Sequence, residues 1–133
     1  MERVKERLET ARRALGSLEA ALREPKSDIS RDASIQRFEY TFEAVWKAAQ
    51  IYLKRVEGQE AGSPKGTIRL CFQAGVLTED QGKKAMQMAE DRNLTVHTYR
   101  EELAEEIYGR LAGYAGLMGT WLGRMESGGG LGG

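Results

Sequence analysis

A chain of 133 residues is long enough for one domain with a modest hydrophobic core. Its 20 Lys and Arg residues balance 20 Asp and Glu residues, so the formal net charge is zero. This balance excludes a polybasic nucleic-acid binder of the histone kind, because phosphate contacts need an excess of cations, but it allows a local basic site. With 41% hydrophobic and 30% charged residues, the composition also argues against a disordered chain and against one that spans a membrane.

Cysteine and histidine occur once each, and both limit the chemistry of the chain. The single Cys71 excludes an internal disulfide and a cysteine-based zinc cage, and the single His97 excludes a multi-histidine metal site within one chain. We therefore expect no metal. The glycines match neither the Walker nor the Rossmann spacing of a phosphate-binding loop, and we expect no cofactor. The charged N-terminal segment, residues 1–6, lacks the apolar run of a secretory signal, and we expect a cytoplasmic protein.

Apolar residues in the first part of the chain recur at helical spacing. Steps of three and four over residues 2–24 predict one amphipathic helix, which Pro25 ends. A second helix is predicted from about Ser30, a candidate cap, to Gly58. Phe38, Phe42 and Trp46 on this helix are expected in the core rather than in a base-stacking platform.

The second part of the chain contains three further helix signals. Ser63 followed by Pro64 predicts a cap and first helical residue, and the helix that they open stops at Gly75. The segments 78–81 and 98–101 both fit the capping-box spacing and predict the starts of the last two helices.

No stretch alternates with the period of a strand over a useful length. We therefore predict an all-α, antiparallel up-and-down bundle of four to five helices in one domain, residues 1–126, followed by a flexible glycine-rich tail, residues 127–133. Wide apolar stripes on the second and last helices leave room for a dimer interface.

Candidate chemistry is concentrated between residues 91 and 99, where Arg92, Asn93, His97 and Tyr99 occur together. Arg92 and His97 lie about 140° apart around a straight helix, so they converge only if the helix distorts or ends between them. The mediocre helix formers between them favour such an end. Unpaired backbone amides and an arginine fork at a helix end suit a phosphate.

Ordinary structural roles are alternatives for each of these residues. A lone histidine at a helix junction also serves as a capping or core hydrogen-bonding group, and Arg92 also fits an ion pair with Glu90 or Asp91.

The acidic residues outside this segment have two interpretations as well. Glu39 and Glu43 fit a carboxylate pair on one helix face, while Glu43 with Lys47 fits an ordinary ion pair four residues apart. The four glutamates Glu101, Glu102, Glu105 and Glu106 fit a solvated acidic face, and contact with a basic partner or a metal-nucleotide is the alternative.

Two blocks of the sequence resemble one known family. Residues 31–47, RDASIQRFEYTFEAVWK, and residues 91–99, DRNLTVHTY, followed by Glu105 to Tyr108, look like the signatures of the nucleotidyltransferase substrate-binding proteins of the HEPN superfamily. The resemblance runs from about residue 3 to residue 124. It implies an HEPN-like helical bundle, a homodimer, and a partner in a separate small nucleotidyltransferase.

The resemblance also implies a site. Many HEPN proteins are metal-independent endoribonucleases whose motif is an arginine, often followed by a polar residue, and then a histidine. Arg92, Asn93 and His97 match that motif and are the implied catalytic residues. In related toxin–antitoxin pairs a tyrosine two residues after the histidine receives AMP from the transferase, and Tyr99 stands at that place.

Metal-free RNA cleavage needs a base, an acid and positive charge. Histidine is the natural acid–base group near neutral pH, and Arg92 can supply charge to a phosphate. One chain has a single histidine for two proton transfers, so this interpretation requires a dimer that brings both copies of His97 to one groove. A non-catalytic subunit that holds a nucleotide or RNA, and a helical oligomerisation module without a ligand, remain alternatives.

Overall fold

The computed structural model describes residues 2–128, and it contains five α-helices and no strand within that range. They are α1 (Glu2–Arg23), α2 (Asp28–Tyr52), α3 (Pro64–Gln73), α4 (Glu79–Leu94) and α5 (Glu101–Ser127). A π-helical segment, Leu53–Glu57, follows α2, and a 3-10 turn, Thr95–His97, follows α4. The predicted all-α fold is confirmed.

The long helices α1, α2 and α5 pack on one another, and the shorter α3 and α4 pack together against α2 and α5. Phe38 and Phe42 of α2 are fully buried, as predicted, and Trp46 is half-buried. The Phe38 ring stacks on the ring of Tyr114 in α5, with centroids 5.7 Å apart. This apolar contact joins the two helices on which the candidate site depends.

Cys71 is completely buried in α3. Burial raises the pKa of its thiol to about 12, because the thiolate is disfavoured away from water. The residue packs as a small hydrophobic side chain, as the sequence predicted.

Two helix starts follow the predicted capping chemistry, and two differ from it. The Thr78–Gln81 capping box and the Ser63 cap are confirmed. At α2, however, the cap is Ser27 rather than Ser30, and Ser30 is its reciprocal partner three residues later. Both serines are good caps, and the residue whose backbone is extended takes the role.

The second predicted capping box, residues 98–101, is wrong. The backbone before α5 turns at Arg100, which makes no side-chain cap, and the helix begins at Glu101. The hydroxyl of Thr98 instead donates to the carbonyl oxygen of Thr95 at 2.8 Å. Thr98 is used to close the preceding 3-10 turn and is therefore not free to cap α5.

A buried arginine fixes the start of α5 against α2. Arg31 is almost fully buried, and its guanidinium donates to Glu101 at 2.7 Å and to Glu105 at 3.0 Å. Glu101 and Glu105 are exposed, as predicted for a solvated acidic face, and they also hold the buried Arg31.

The C-terminal helix reaches Ser127, one residue into the segment predicted as a tail. Residues 129–133 of that segment lie outside the described part of the chain. Among residues 2–128, no helix is both long and apolar enough to cross a membrane.

Candidate functional site

The helix ends between Arg92 and His97, as the motif requires. α4 stops at Leu94, and the 3-10 turn places His97 on a separate short segment before α5. Arg92 therefore lies on the last α-helical turn, whereas His97 and Tyr99 lie on the connection to α5. The weak helix formers in this stretch and the Thr98 hydroxyl account for the local change.

Two carboxylates of α2 face Arg92. Its Nη1 lies 3.6 Å from Glu39 Oε2, and its Nε lies 3.7 Å from Glu43 Oε1. Arg92 Nη1 also donates to Thr95 Oγ1 at 3.3 Å, and that hydroxyl lies 2.7 Å from Glu39 Oε2. Arg92 is thus held toward α2 by charge and by one shared hydroxyl.

The Nε atom of Arg92 is buried and makes no hydrogen bond within residues 2–128. The contact of this atom with Glu43 is an ion pair at 3.7 Å, which is too long for a hydrogen bond. A buried donor without an acceptor is costly, and the nearest acceptor for this atom is the Glu43 carboxylate.

The predicted ion pair of Arg92 with Glu90 or Asp91 is wrong, because both acids have other partners. Glu90 pairs with Lys65, and Asp91 receives two hydrogen bonds from Arg110, at 2.7 and 3.0 Å. Glu43 pairs with Arg92 and makes no ion pair with Lys47 within residues 2–128.

Asp91 anchors α4 to α5 directly beside the site. Besides the Arg110 fork, it accepts a hydrogen bond from Tyr114 Oη at 2.5 Å, and Asp91 itself is 4% exposed. Burial and this carboxylate raise the pKa of Tyr114, and hydrogen bonding to Asp91 raises the pKa of Arg110. The network fixes the backbone of the residue that precedes Arg92.

His97 and Tyr99 form a second pair on the connection. His97 Nδ1 lies 3.3 Å from Tyr99 Oη, and the two rings pack edge-on with centroids 5.9 Å apart. Both side chains are exposed, and Tyr99 is exposed to 77%. The phenol oxygen is therefore accessible to a reagent and lies beside the only imidazole.

Asn93 and Arg92 line a cavity of about 250 Å³. The rest of the cavity wall includes Glu43 and the start of α3 at Ser63–Pro64. Among the described residues, no side-chain hydrogen bond joins Arg92 or Asn93 to His97. The four residues of the predicted motif therefore form two neighbouring groups in one chain: Arg92 with Asn93, and His97 with Tyr99.

Sequence reasoning missed how Glu39, Glu43 and Thr95 contribute to the site. The spacing of the two glutamates did indicate a carboxylate pair, but nothing local indicated that Arg92 lies against it. Within residues 2–128, no group of three or more potential metal ligands is present.

The structure is thus an all-α bundle with an Arg–His–Tyr motif at the junction between α4 and α5. The model of one family matches residues 6–127, and it is described as nucleotidyltransferase substrate binding protein like. The chain belongs to this family, which confirms the resemblance drawn from the two sequence blocks.

Solved structures share the fold. A crystal structure of a protein from Thermus thermophilus has 52% sequence identity and a TM-score of 0.84, covering 86% of this chain and 98% of that one. A tri-AMPylated Shewanella oneidensis HEPN toxin, in complex with an MNT antitoxin, has 14% identity and a TM-score of 0.77, covering 94% and 97%. Among curated proteins, no significant match is found.

Proposed function

We propose that this chain is the HEPN subunit of a two-component, toxin–antitoxin-like minimal nucleotidyltransferase system. It binds a separate small nucleotidyltransferase, forms a homodimer, and presents a site for a nucleotide or RNA phosphate built from Arg92, Asn93 and His97. The observation that carries this proposal is the helix end between Arg92 and His97, which leaves His97 exposed beside Tyr99.

The family and one structural neighbour support the partner in this proposal. The family is described by its relation to a nucleotidyltransferase, and the Shewanella HEPN toxin is bound to its MNT antitoxin. That toxin is also AMPylated. A transferase that binds this chain and modifies its exposed tyrosine would be consistent with both.

The residues fit metal-independent RNA cleavage. A base removes the proton of a ribose 2′-hydroxyl, its oxygen bonds to phosphorus, the bond to the 5′-oxygen breaks, and an acid protonates that oxygen. Arg92 stabilises the negative charge on the phosphorane through its guanidinium, and the Arg92 side chain is 25% exposed. Two copies of His97 in a dimer supply the base and the acid.

Tyr99 is the proposed site of modification. Its phenol oxygen would attack the α-phosphorus of ATP, the phenol proton would leave, and the broken anhydride bond would release pyrophosphate. With 77% exposure, Tyr99 can reach the active site of another protein. AMP on this residue would place a phosphate next to His97 and block it.

Incubation of the chain with ATP and a small nucleotidyltransferase tests the partner and the modification together. We expect a mass increase of AMP on Tyr99, which is lost in Tyr99→Phe and kept in Tyr40→Phe, a matched change at another exposed tyrosine. Attachment of AMP to the Tyr99→Phe protein to the same extent as to wild type would contradict the proposal. So would a wild-type protein that neither binds the transferase nor receives AMP.

The second candidate is a non-catalytic regulatory subunit in which the same residues only hold a ligand. The observation in its favour is the contact of Arg92 with Glu39 and Glu43, because two carboxylates offset the charge that a phosphorane needs. RNA cleavage by the wild-type and His97→Ala proteins discriminates the two candidates.

A further inference from the structure

A second concentration of positive charge lies outside the motif. A cavity of about 350 Å³ opens between the first turns of α1 and the last turns of α2, and we call it the cationic pocket. Four of its lining residues are basic: Arg3 and Arg7 from α1, and Lys47 and Lys54 from α2 and the turn that follows it. The single acidic lining residue is Glu60.

The two helices present these cations in register. Arg3 and Arg7 are one turn apart on α1, and Lys47 and Lys54 are two turns apart along α2 and its π-helical extension, so each pair shares a helix face. Four cations against one carboxylate give this pocket a local excess of three positive charges in a chain whose formal net charge is zero.

The positive charges of the pocket are largely unmatched. Lys54 lies 3.7 Å from Glu60, and both side chains are exposed, so this ion pair offsets little charge. Arg3, Arg7 and Lys47 make no ion pair with any residue in the described range 2–128. Like charges held close together repel one another, and an anion that bridges them relieves this cost.

The wall of the pocket is held by specific backbone geometry. The π-helical segment Leu53–Glu57 ends at Gly58, whose φ of 68° turns the chain back along α2. Gln50 Nε2 then donates to the carbonyl oxygen of Ala61 at 2.7 Å, which fixes the returning loop against the helix. Irregular helical turns of this kind are frequent at functional sites.

We propose that the cationic pocket binds linked phosphates, either those of a nucleotide or those of a single-stranded RNA backbone. Two arginine forks and two lysines on facing helices suit several phosphate oxygens at once. The cavity is large enough for a small ligand but has few apolar walls to select a base. Neither Arg92 nor His97 lines it, so the pocket is a site beyond the function proposed above.

The pocket also adjoins the motif along α2. Lys47 lies one turn after Glu43, which contacts Arg92, and the loop ending at Ser63 separates the two cavities. A strand bound in the pocket would thus lie one helical turn from the Arg92 contacts. The affinity of the cationic pocket for phosphates does not depend on whether the bound RNA strand is cleaved at the motif.

Titration calorimetry with inorganic tripolyphosphate and with ATP, and fluorescence anisotropy with a labelled single-stranded RNA, test the pocket on the full chain. The variant is Arg7→Gln with Lys47→Gln, and the matched control is Arg13→Gln with Lys83→Gln, which removes the same charges elsewhere. Both variants change exposed or half-buried positions, and equal thermal unfolding with wild type verifies that they fold.

We expect the pocket variant to lose at least tenfold in tripolyphosphate affinity and the control to stay within twofold of wild type. For RNA, loss of two phosphate contacts should flatten the slope of log affinity against log salt by about 1.4. Tighter binding of ATP than of RNA would identify a nucleotide as the source of the phosphates, and the reverse order would identify RNA.

Equal losses in the pocket variant and the control, or no tripolyphosphate binding by wild type at low salt, would overturn the proposal. The His97→Ala protein separates this test from the function proposed above. In the His97→Ala background the pocket variant should still bind tripolyphosphate at least tenfold more weakly than the control variant, whether or not RNA cleavage is lost, so failure of either proposal leaves the other testable.

Discussion

Arg92 has two carboxylates and one hydroxyl around its guanidinium, and these contacts control how much charge it can offer to a ligand. Glu39 and Glu43 each lie within 4 Å of it, and the Arg92 side chain is 25% exposed. In a partly solvated setting such ion pairs are worth about 0.2–1 kcal/mol each. A phosphate that enters must compete with them.

Removing these carboxylates should strengthen phosphate binding at the junction. We expect Glu39→Gln with Glu43→Gln to raise the affinity for a short RNA about two- to fivefold, because Arg92 loses competing negative charge. Anisotropy titrations in the His97→Ala background, which prevents turnover, measure this change.

The matched control is Glu102→Gln with Glu106→Gln, since both are exposed and make no ion pair with the described residues. The same gain in this control would mean that general charge, not Arg92, sets the affinity.

At the scale of helices, two ionic networks fix the α4–α5 connection from either side. Asp91 joins the end of α4 to Arg110 and Tyr114 in α5, and Arg31 joins the start of α2 to the first turns of α5. The connection that carries His97 and Tyr99 lies between these anchors. The motif is therefore displayed on a short segment whose two ends are held.

The Arg31 network should weaken at acid pH. Hydrogen bonds from Arg31 hold the pKa of Glu101 below its ordinary 4.5, and those from Lys26 and Arg31 lower the pKa of Glu105. The folded chain thus binds these protons less readily than the unfolded chain. The stabilisation is complete above pH 4.5 and is lost as the pH falls through the lowered values.

Arg31→Gln should lower the Tm at pH 7 by about 3–6 °C and reduce the further loss of Tm between pH 7 and pH 3. Thermal unfolding followed by circular dichroism at both pH values measures both effects. The control Arg13→Gln should match wild type, since Arg13 is exposed and forms no ion pair within residues 2–128. An unchanged pH dependence in Arg31→Gln would contradict this account of the network.

Helices and most of their ends could be predicted from the sequence, because their signals are local. Apolar spacing, Pro64 and the Thr78–Gln81 box act within a few residues, and the structure has each of them as predicted. Ser27 rather than Ser30 caps α2 because the backbone is extended at Ser27. The spacing of residues in the sequence does not indicate where the backbone is extended. Thr98 failed as a cap because a neighbouring turn uses its hydroxyl.

The two carboxylate partners of Arg92, Glu39 and Glu43, could not be predicted, because they come from another helix. Glu39 and Thr95 are 56 residues apart in the chain and meet only after α2 and α4 pack. The motif residues themselves were found because a family resemblance adds information that local spacing lacks.

At the scale of the whole molecule, the proposed nuclease needs two chains. Each chain holds one histidine, and three exposed hydrophobic side chains lie near it in the sequence: Val96 is 64% exposed, and Leu94 and Tyr99 are also exposed. Exposed apolar side chains next to a polar motif are typical of a protein interface. We expect the two-fold axis of the homodimer to pass near this surface.

Val96→Glu should therefore separate the dimer and abolish RNA cleavage together, because it places a charge in the proposed interface. Ile29→Glu is the matched control, since Ile29 is 84% exposed at the start of α2 and should leave both properties unchanged. Light scattering after gel filtration gives the oligomeric state, and RNA gels give the activity. A monomeric Val96→Glu protein with full RNA-cleaving activity would refute the proposal that two chains share one active site.

Cleavage of bulk RNA by the pure protein, without metal, tests the central claim most directly. Wild-type protein and the control Glu102→Ala, an exposed change in the first turn of α5, should cleave RNA and leave 2′,3′-cyclic phosphate ends. His97→Ala should fold normally and lose at least a hundredfold in rate, because it lacks the acid–base group. Equal RNA cleavage by the wild-type and His97→Ala proteins would contradict the proposal that this chain is a nuclease. The absence of RNA cleavage by folded, dimeric wild-type protein would contradict it as well.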